Sequence, residues 1–444
     1  MDDYRDRISR LPDDFLLQIL SRLPTKDVVA MSLLSKRWRF LWTLVPKLNF
    51  DLRLHDNTCP KFTKFVDRSL LLHKAPTLES LRVKIGSICH NADVDVGVWV
   101  RIAVDRGVRE LDISYCPAEE PIRLPKCLFP CATLVVLKLE NMSLVDASSY
   151  VCFKSLKTLH LLDVKYFDEQ SLPHLLSSCS VLEDLVVQRC PGDNVKIVSV
   201  NAACLKTLTL HKSSQAFEGD DDGFLIAAPK LKRLDIEDYW GGFCDIENMP
   251  EVVEANVDYL NIRDYRGSFC LAEDMPELVE ANVEVGYDKL DELLGSLTSV
   301  KRLSICSTKL NAPCPTTFQQ LVHLEICTCK PEWWNLLVCL LTATPKLRVL
   351  KLKRTHKDCS KGGCWNEPGS VPDCLLTSLE DFEWRRYKGT KDQSDLVTYI
   401  LRNSCHLKMV KILSETDDPE EQLEMIKKLA FSPRASITCQ VDFD

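Results

Sequence analysis

Long apolar runs are absent from this 444-residue chain. Nowhere do about 18 apolar residues follow one another, which excludes a helical membrane span. An apolar leader is absent as well: the chain starts Met1-Asp2-Asp3-Tyr4-Arg5-Asp6-Arg7, charged where a secretory signal is greasy. The expected location is therefore the nucleus and/or the cytoplasm. A basic excess is absent too. Lys and Arg number 56 against 64 Asp and Glu, a net charge of −8, whereas a duplex-binding protein carries a basic stripe. Neither a nucleic-acid nor a membrane partner is expected. Catalytic signatures are lacking: there is no phosphate loop, nucleophile elbow, H-E-x-x-H or dinucleotide glycine pattern. The nine histidines are scattered, with no nucleophile at a matching spacing. No catalytic residue and no cofactor is expected.

What remains is ordinary globular material, 45% hydrophobic and 27% charged, long enough for two or three units. The 21 cysteines should stay reduced without a secretory leader. Many occupy apolar positions of a periodic pattern (Cys179, Cys190, Cys204, Cys339, Cys405), where a thiol acts as a small hydrophobe. The pairs Cys327/Cys329 and Cys359/Cys364 lack the second half of a regularly spaced zinc site, although His356 lies near the latter. No metal ligands are expected.

An internal repeat organises the chain. Leu234-Asp235-Ile236-Glu237-Asp238-Tyr239 and the residues through Val257 recur 26 residues later, from Leu260-Asn261-Ile262-Arg263-Asp264-Tyr265 to Val283. The broader pattern L-x-x-L-x-L starts at Leu78, Val108, Leu134, Leu156, Leu182, Leu205, Leu231, Val257, Val300, Leu321 and Leu347. From Val108 to Val257 the starts differ by 26, 22, 26, 23, 26 and 26 residues, within the period of leucine-rich repeats. L-x-L alternation predicts a short strand with one buried face. Helical stretches at 172–176, 290–297 and 333–341 precede three of the copies. Helix then strand, repeated, predicts an α/β solenoid: a curved parallel sheet lining the concave side, with helices outside and neighbouring copies sharing one core. Residues flanking the inner leucines point to the concave side, where a protein ligand would sit. The candidates are His160, Gln188, His211, Arg233, Asp235, Tyr259, Arg263, Arg302, His323 and Lys351.

Residues 8–42 follow another rule. Pro12, Asp13 and Asp14 suit a helix start. Phe15, Leu16, Ile19, Leu20 and Leu23 recur at helical spacing. Pro24 ends that helix and Thr25 can cap the next, which carries Val28, Val29, Met31, Leu33 and Leu34. Ser35 can cap a third turn with Trp38, Leu41 and Trp42. This apolar surface exceeds what three short helices bury among themselves, so part must meet the adjoining solenoid or a partner.

The run Leu11-Pro12-Asp13-Asp14 through Leu23-Pro24-Thr25-Lys26-Asp27-Val28, then Ser35-Lys36-Arg37-Trp38 to Leu41-Trp42, resembles an F-box, with Asp14 where the family often has glutamate. The resemblance implies docking to the Skp1 adaptor of an SCF-type (Skp1–cullin–F-box) ubiquitin ligase, and through it to a cullin. By motif position it implies Leu11, Pro12, Leu16, Ile19, Leu20 and Val28 as the adaptor-facing apolar set, leaving Trp38, Leu41 and Trp42 to lock the module to the adjoining chain.

After Lys353 the repeat falters. Trp365 to Leu375, Leu379 to Gly389 and Leu396 to Lys408 resemble the FBD domain of plant F-box proteins, and Phe431-Ser432-Pro433 fits its tail. Strand-like, helix-like and strand-like stretches continue the repeat there and would cap the last copy's core. The expected organisation is an F-box over 1–50, a helical connector over 51–77, leucine-rich repeats over 78–355 and an FBD segment over 356–444. With two binding modules and no RING-like array, the reading is a substrate-recognition subunit gripping an unidentified protein. The alternative is a non-ligase interaction scaffold. A small-molecule co-receptor is neither supported nor excluded.

Overall fold

The computed structural model describes residues 11–54, 59–86, 95–116, 121–144, 151–189, 195–212, 223–238, 243–246, 259–264, 278–285, 290–307, 316–330, 333–356 and 365–443. Val257, Cys190, Cys359 and Cys364 lie outside these. The chain forms two compact units, Met1–Phe217 with Leu225–Ala228, and Glu218–Phe224 with Pro229–Asp444.

In the first unit, helices α1 (Asp13–Leu20), α2 (Thr25–Ala30) and α3 (Trp38–Leu41) precede a ribbon of parallel strands. The strands are β1 (Lys47–Asp51), β2 (Ser80–Ile85), β3 (Glu110–Tyr115), β4 (Val136–Glu140), β5 (Thr158–Leu162), β6 (Asp184–Arg189) and β7 (Thr207–Lys212). Each pairs with the next in parallel. Helices α4 (Cys59–Leu72), α5 (Val96–Asp105) and α6 (Ser171–Ser177) lie in the connections. The L-x-L positions stack in rows: Leu111, Leu137, Leu159, Leu185 and Leu208 are register partners in succession, and all are buried. Each such side chain contributes roughly 1.5–3 kcal/mol by burial, which no single repeat achieves without its neighbours.

The second unit repeats the logic. Its strands are β8 (Arg233–Asp238), β9 (Tyr259–Asp264), β10 (Glu280–Val285), β11 (Arg302–Cys306), β12 (His323–Cys327), β13 (Val349–Lys353), β14 (Asp381–Tyr387), β15 (Met409–Ser414) and β16 (Gln440–Phe443). All neighbours are parallel. The 26-residue duplication becomes the pairing of β8 with β9, Leu234 opposite Leu260 and Ile236 opposite Ile262. Helices α7 (Leu290–Ser296) and α8 (Trp333–Ala343) stand where the sequence predicts them.

Two repeats escape the leucine pattern. Leu278-x-x-Ala281-x-Val283 builds β10 with alanine in an inner leucine place, filling the long interval between Val257 and Val300. Val45-x-x-Leu48-x-Phe50 builds β1, so the ribbon begins inside the stretch assigned to the F-box. The C-terminal segment continues the ribbon as β14 to β16, joined by α9 (Asp373–Thr377), α10 (Lys391–Asn403) and α11 (Pro419–Ala430). An aromatic wall fastens it to the last leucine-rich repeat: Trp333 of α8 lies 3.7 Å from Trp334 and 5.8 Å from Trp384 of β14, with Trp365 5.5 Å from Tyr399. Such ring pairs add about 0.5–1.5 kcal/mol each beyond burial. Among the described residues, thirteen cysteines are free thiols. Cys59 is disulfide-bonded, against the expectation of reduced thiols.

Candidate functional site

The N-terminal helices close around their own core. Leu16, Leu20, Val28, Trp38, Leu41 and Val45 form one buried cluster, with Leu11, Leu23, Met31 and Trp42 packed against it. Asp13 receives the Arg37 guanidinium, Nε at 3.0 Å, while Arg37 Nη2 also donates to the Leu11 carbonyl at 2.5 Å. These contacts staple the start of α1 to the turn before α3. Thr25 does not cap α2. Its hydroxyl accepts the Asn49 backbone N–H at 2.8 Å, which satisfies a donor on the first strand of the ribbon and ties the module to it.

This packing sorts the implied adaptor-facing residues. Leu16, Leu20 and Val28 point inward, at 0%, 1% and 3% exposure, because they form the stripe that three short helices need for a core of their own. Leu11 is half-buried, and Pro12 and Ile19 face solvent. The exposed apolar side chains include Phe15, Ile19, Leu33, Leu34, Phe40 and Leu44. Phe15 and Ile19 are one turn apart, so Pro12, Phe15 and Ile19 form a single outward stripe on α1. A helix apolar on both faces carries no mark of which stripe stays inside, which is why Phe15, Leu33, Leu34 and Phe40 escape a sequence reading.

On the ribbons, the residues between inner leucines lie on the opposite face, as their alternation requires. In the first unit His160 Nε2 is 3.1 Å from Asp184 Oδ2, and the Gln188 amide donates to Asp163 at 3.2 Å. Asp163 holds a left-handed backbone (φ 52°) directly after β5. Burial pushes its carboxyl up, against the Gln188 hydrogen bond that lowers it. His211 is half-buried opposite Gln188.

In the second unit the candidates interlock across the strands. The Arg233 guanidinium lies 4.2 Å from the centre of the Tyr259 ring. Asn261 donates to Asp235 at 2.6 Å and accepts from Asn282 at 2.6 Å. Arg263 pairs with Glu237 and Arg302 with Glu280, both at 3.5 Å. Lys351 pairs with Glu383 at 3.2 Å. Burial, then the nearby Arg302 and Lys351 charges, push His323 below its ordinary value. The face is thus a set of polar ladders whose side chains hold one another in place. This arrangement suits recognition through a rigid surface. At one level of this face Cys306, Cys327, Cys329 and His356 converge, their donor atoms all within 4.8 Å of one another.

Comparisons with known proteins agree with this anatomy. Residues 8–50 match the F-box domain family, residues 96–255 the leucine-rich repeats of the FBD-associated F-box protein At5g56370, and residues 367–412 the FBD family. The F-box/FBD/LRR-repeat protein At5g56420 of Arabidopsis thaliana is 63% identical over 100% of both chains. The probable FBD-associated F-box protein At1g32375 and the FBD-associated F-box protein At5g56370, from the same plant, are 43% and 42% identical, each over 99% of this chain and 100% of their own. With three family matches in the order that the helices, ribbon and terminal strands present them, the chain belongs to the F-box/FBD/LRR-repeat proteins of plants.

Proposed function

We propose that this protein is the substrate-recognition subunit of an SCF-type ubiquitin ligase. Its N-terminal helices dock a Skp1-like adaptor, and through it a cullin, while the polar face of its repeats holds a target protein. The observation that carries the reading is the outward apolar stripe Pro12–Phe15–Ile19, with Leu33 and Leu34 exposed nearby in sequence, on a module that already has a complete core. Apolar side chains left over after the core is filled belong to an interface. In this reading the chain performs no chemistry. It raises the effective concentration of a target lysine near the ligase's transfer centre, in the nucleus or cytoplasm.

The test is co-purification of a Skp1-like adaptor with the full chain and with an Ile19→Asp/Leu34→Asp variant. Loss of the adaptor at unchanged melting temperature is expected, and equal recovery rejects the docking surface. The scaffold reading draws on a different observation. Thr43 O accepts from Lys74 N at 2.7 Å and Ala75 N at 3.1 Å, so the module is built into the first repeats. If it serves only as an end cap, the double variant binds no adaptor and neither does the wild type.

A further inference from the structure

We infer that Cys306, Cys327, Cys329 and His356 form a structural zinc site that clamps three successive repeats. Cys306 ends β11, Cys327 ends β12, Cys329 follows two residues later, and His356 lies three residues past β13. Cys306 Sγ is 3.5 Å and Cys327 Sγ 2.9 Å from Cys329 Sγ. A tetrahedral ion with Zn–S bonds of about 2.3 Å sets sulfurs roughly 3.8 Å apart. The cluster accepts such an ion when the Cys327–Cys329 pair opens by about 1 Å, a side-chain rotation at the end of a strand.

Packing alone does not account for these thiols. Elsewhere in the chain buried cysteines such as Cys339 and Cys374 sit among leucines of the core. Here the cluster consists of cysteines only. By strand alternation Cys306 shares its side of β11 with Arg302 and Ser304, and Cys327 shares its side of β12 with His323 and Glu325, the polar face of the ribbon. Yet the three thiols are 6%, 2% and 3% exposed.

A second group is in place for a ligating imidazole. His356 Nε2 is 2.6 Å from Glu284 Oε1, and Glu284 is the register partner of Cys306. A carboxylate this close to the imidazole is the neighbour that a metal-ligating histidine uses to fix its ring and raise its basicity. Three thiolates and one imidazole are the donor set of tetrahedral zinc and exclude magnesium and calcium, which take oxygen. The ion with three thiolates leaves one net negative charge beside Lys353, the register partner of Cys327.

The test uses the purified full-length chain. Expected are about one zinc per chain by elemental analysis and, after exchange into cobalt(II), the visible bands of a tetrahedral ion with a thiolate charge-transfer band. Cys306→Ser and His356→Ala should lose the cobalt spectrum, Glu284→Gln should weaken zinc about 10–100-fold, and Cys116→Ser should leave both unchanged. The wild-type spectrum needs no variant to fold. A metal-free chain without a cobalt spectrum, a spectrum indifferent to Cys306→Ser, or a Cys327–Cys329 disulfide in the mass spectrum overturns the site.

Discussion

Leu16 and Ile19 lie one turn apart on α1, the first buried and the second exposed. Leu16 is 0% exposed inside the six-residue core of the N-terminal module. Removing its three outer carbons leaves a cavity in a cluster too small to collapse around it, so Leu16→Ala should cost about 3–5 kcal/mol. Shared with the first unit, that lowers the unfolding midpoint on the order of 10 °C. Ile19 is 47% exposed, so Ile19→Asp should change folding by less than about 0.5 kcal/mol. Against a docked adaptor its cost is different. About half an isoleucine's burial is lost, roughly 1 kcal/mol, and an unpaired carboxylate is desolvated at roughly 2 kcal/mol or more, which together weaken binding about 100-fold or beyond. Scanning calorimetry and titration calorimetry with a purified Skp1-like adaptor separate the two effects. If Leu16→Ala melts with the wild type while losing the adaptor, Leu16 faces outward and the division of α1 is wrong.

Two further perturbations probe the joints of each unit. His73 is buried, with Nε2–H donating to Val45 O at 2.8 Å and Nδ1 accepting from Arg106 at 2.7 Å. Burial first, and then Arg106, hold it below its ordinary 6.5. Protonation therefore favours the unfolded chain: the stability His73 contributes is complete above about pH 6.5 and is lost as the pH falls toward its lower folded value. Urea midpoints should decline between about pH 7.5 and pH 5.5 and decline less in His73→Gln; identical slopes would refute the assignment. Gly389 has φ +65°, and a Cβ there would meet Met425 Cγ of α11 at 2.7 Å. Gly389→Ala should cost about 2 kcal/mol through the left-handed backbone and the displaced methionine, seen as a lower melting point and faster amide exchange in α11; an unchanged melt contradicts it.

The ribbon was legible because a leucine two residues from another, recurring at a near-constant interval, can be buried only by stacking. Legibility ended where the inner positions changed chemistry. Ala281 conceals the strand Glu280–Val285, and Val45-x-x-Leu48-x-Phe50 is overshadowed by the helical motif before it. On the N-terminal helices apolar residues occupy two stripes, and periodicity alone does not say that Leu16 and Leu20 face the core while Phe15 and Ile19 face out. That choice depends on where α3 packs, a contact between residues more than fifteen positions apart.

The convergence of Cys306, Cys327, Cys329 and His356 extends the same argument to the site itself. A linear search for zinc ligands looks for pairs two to four residues apart, and here only Cys327 and Cys329 qualify, which made the set look incomplete. In a parallel ribbon the register Ser304↔Glu325 and Ile305↔Ile326, carried one residue further, sets Cys327 beside Cys306, 21 positions earlier, and Glu284 and Lys353 flank the two as their outer register partners. The ladders along the polar face obey the same rule, Asp235 with Asn261 at 26 positions and Ser304 with Glu325 at 21. The spacing that matters in such a chain is therefore the repeat length plus or minus a residue or two. Read at that interval, the cysteines of 306–329 and the histidine at 356 stand one repeat apart rather than alone.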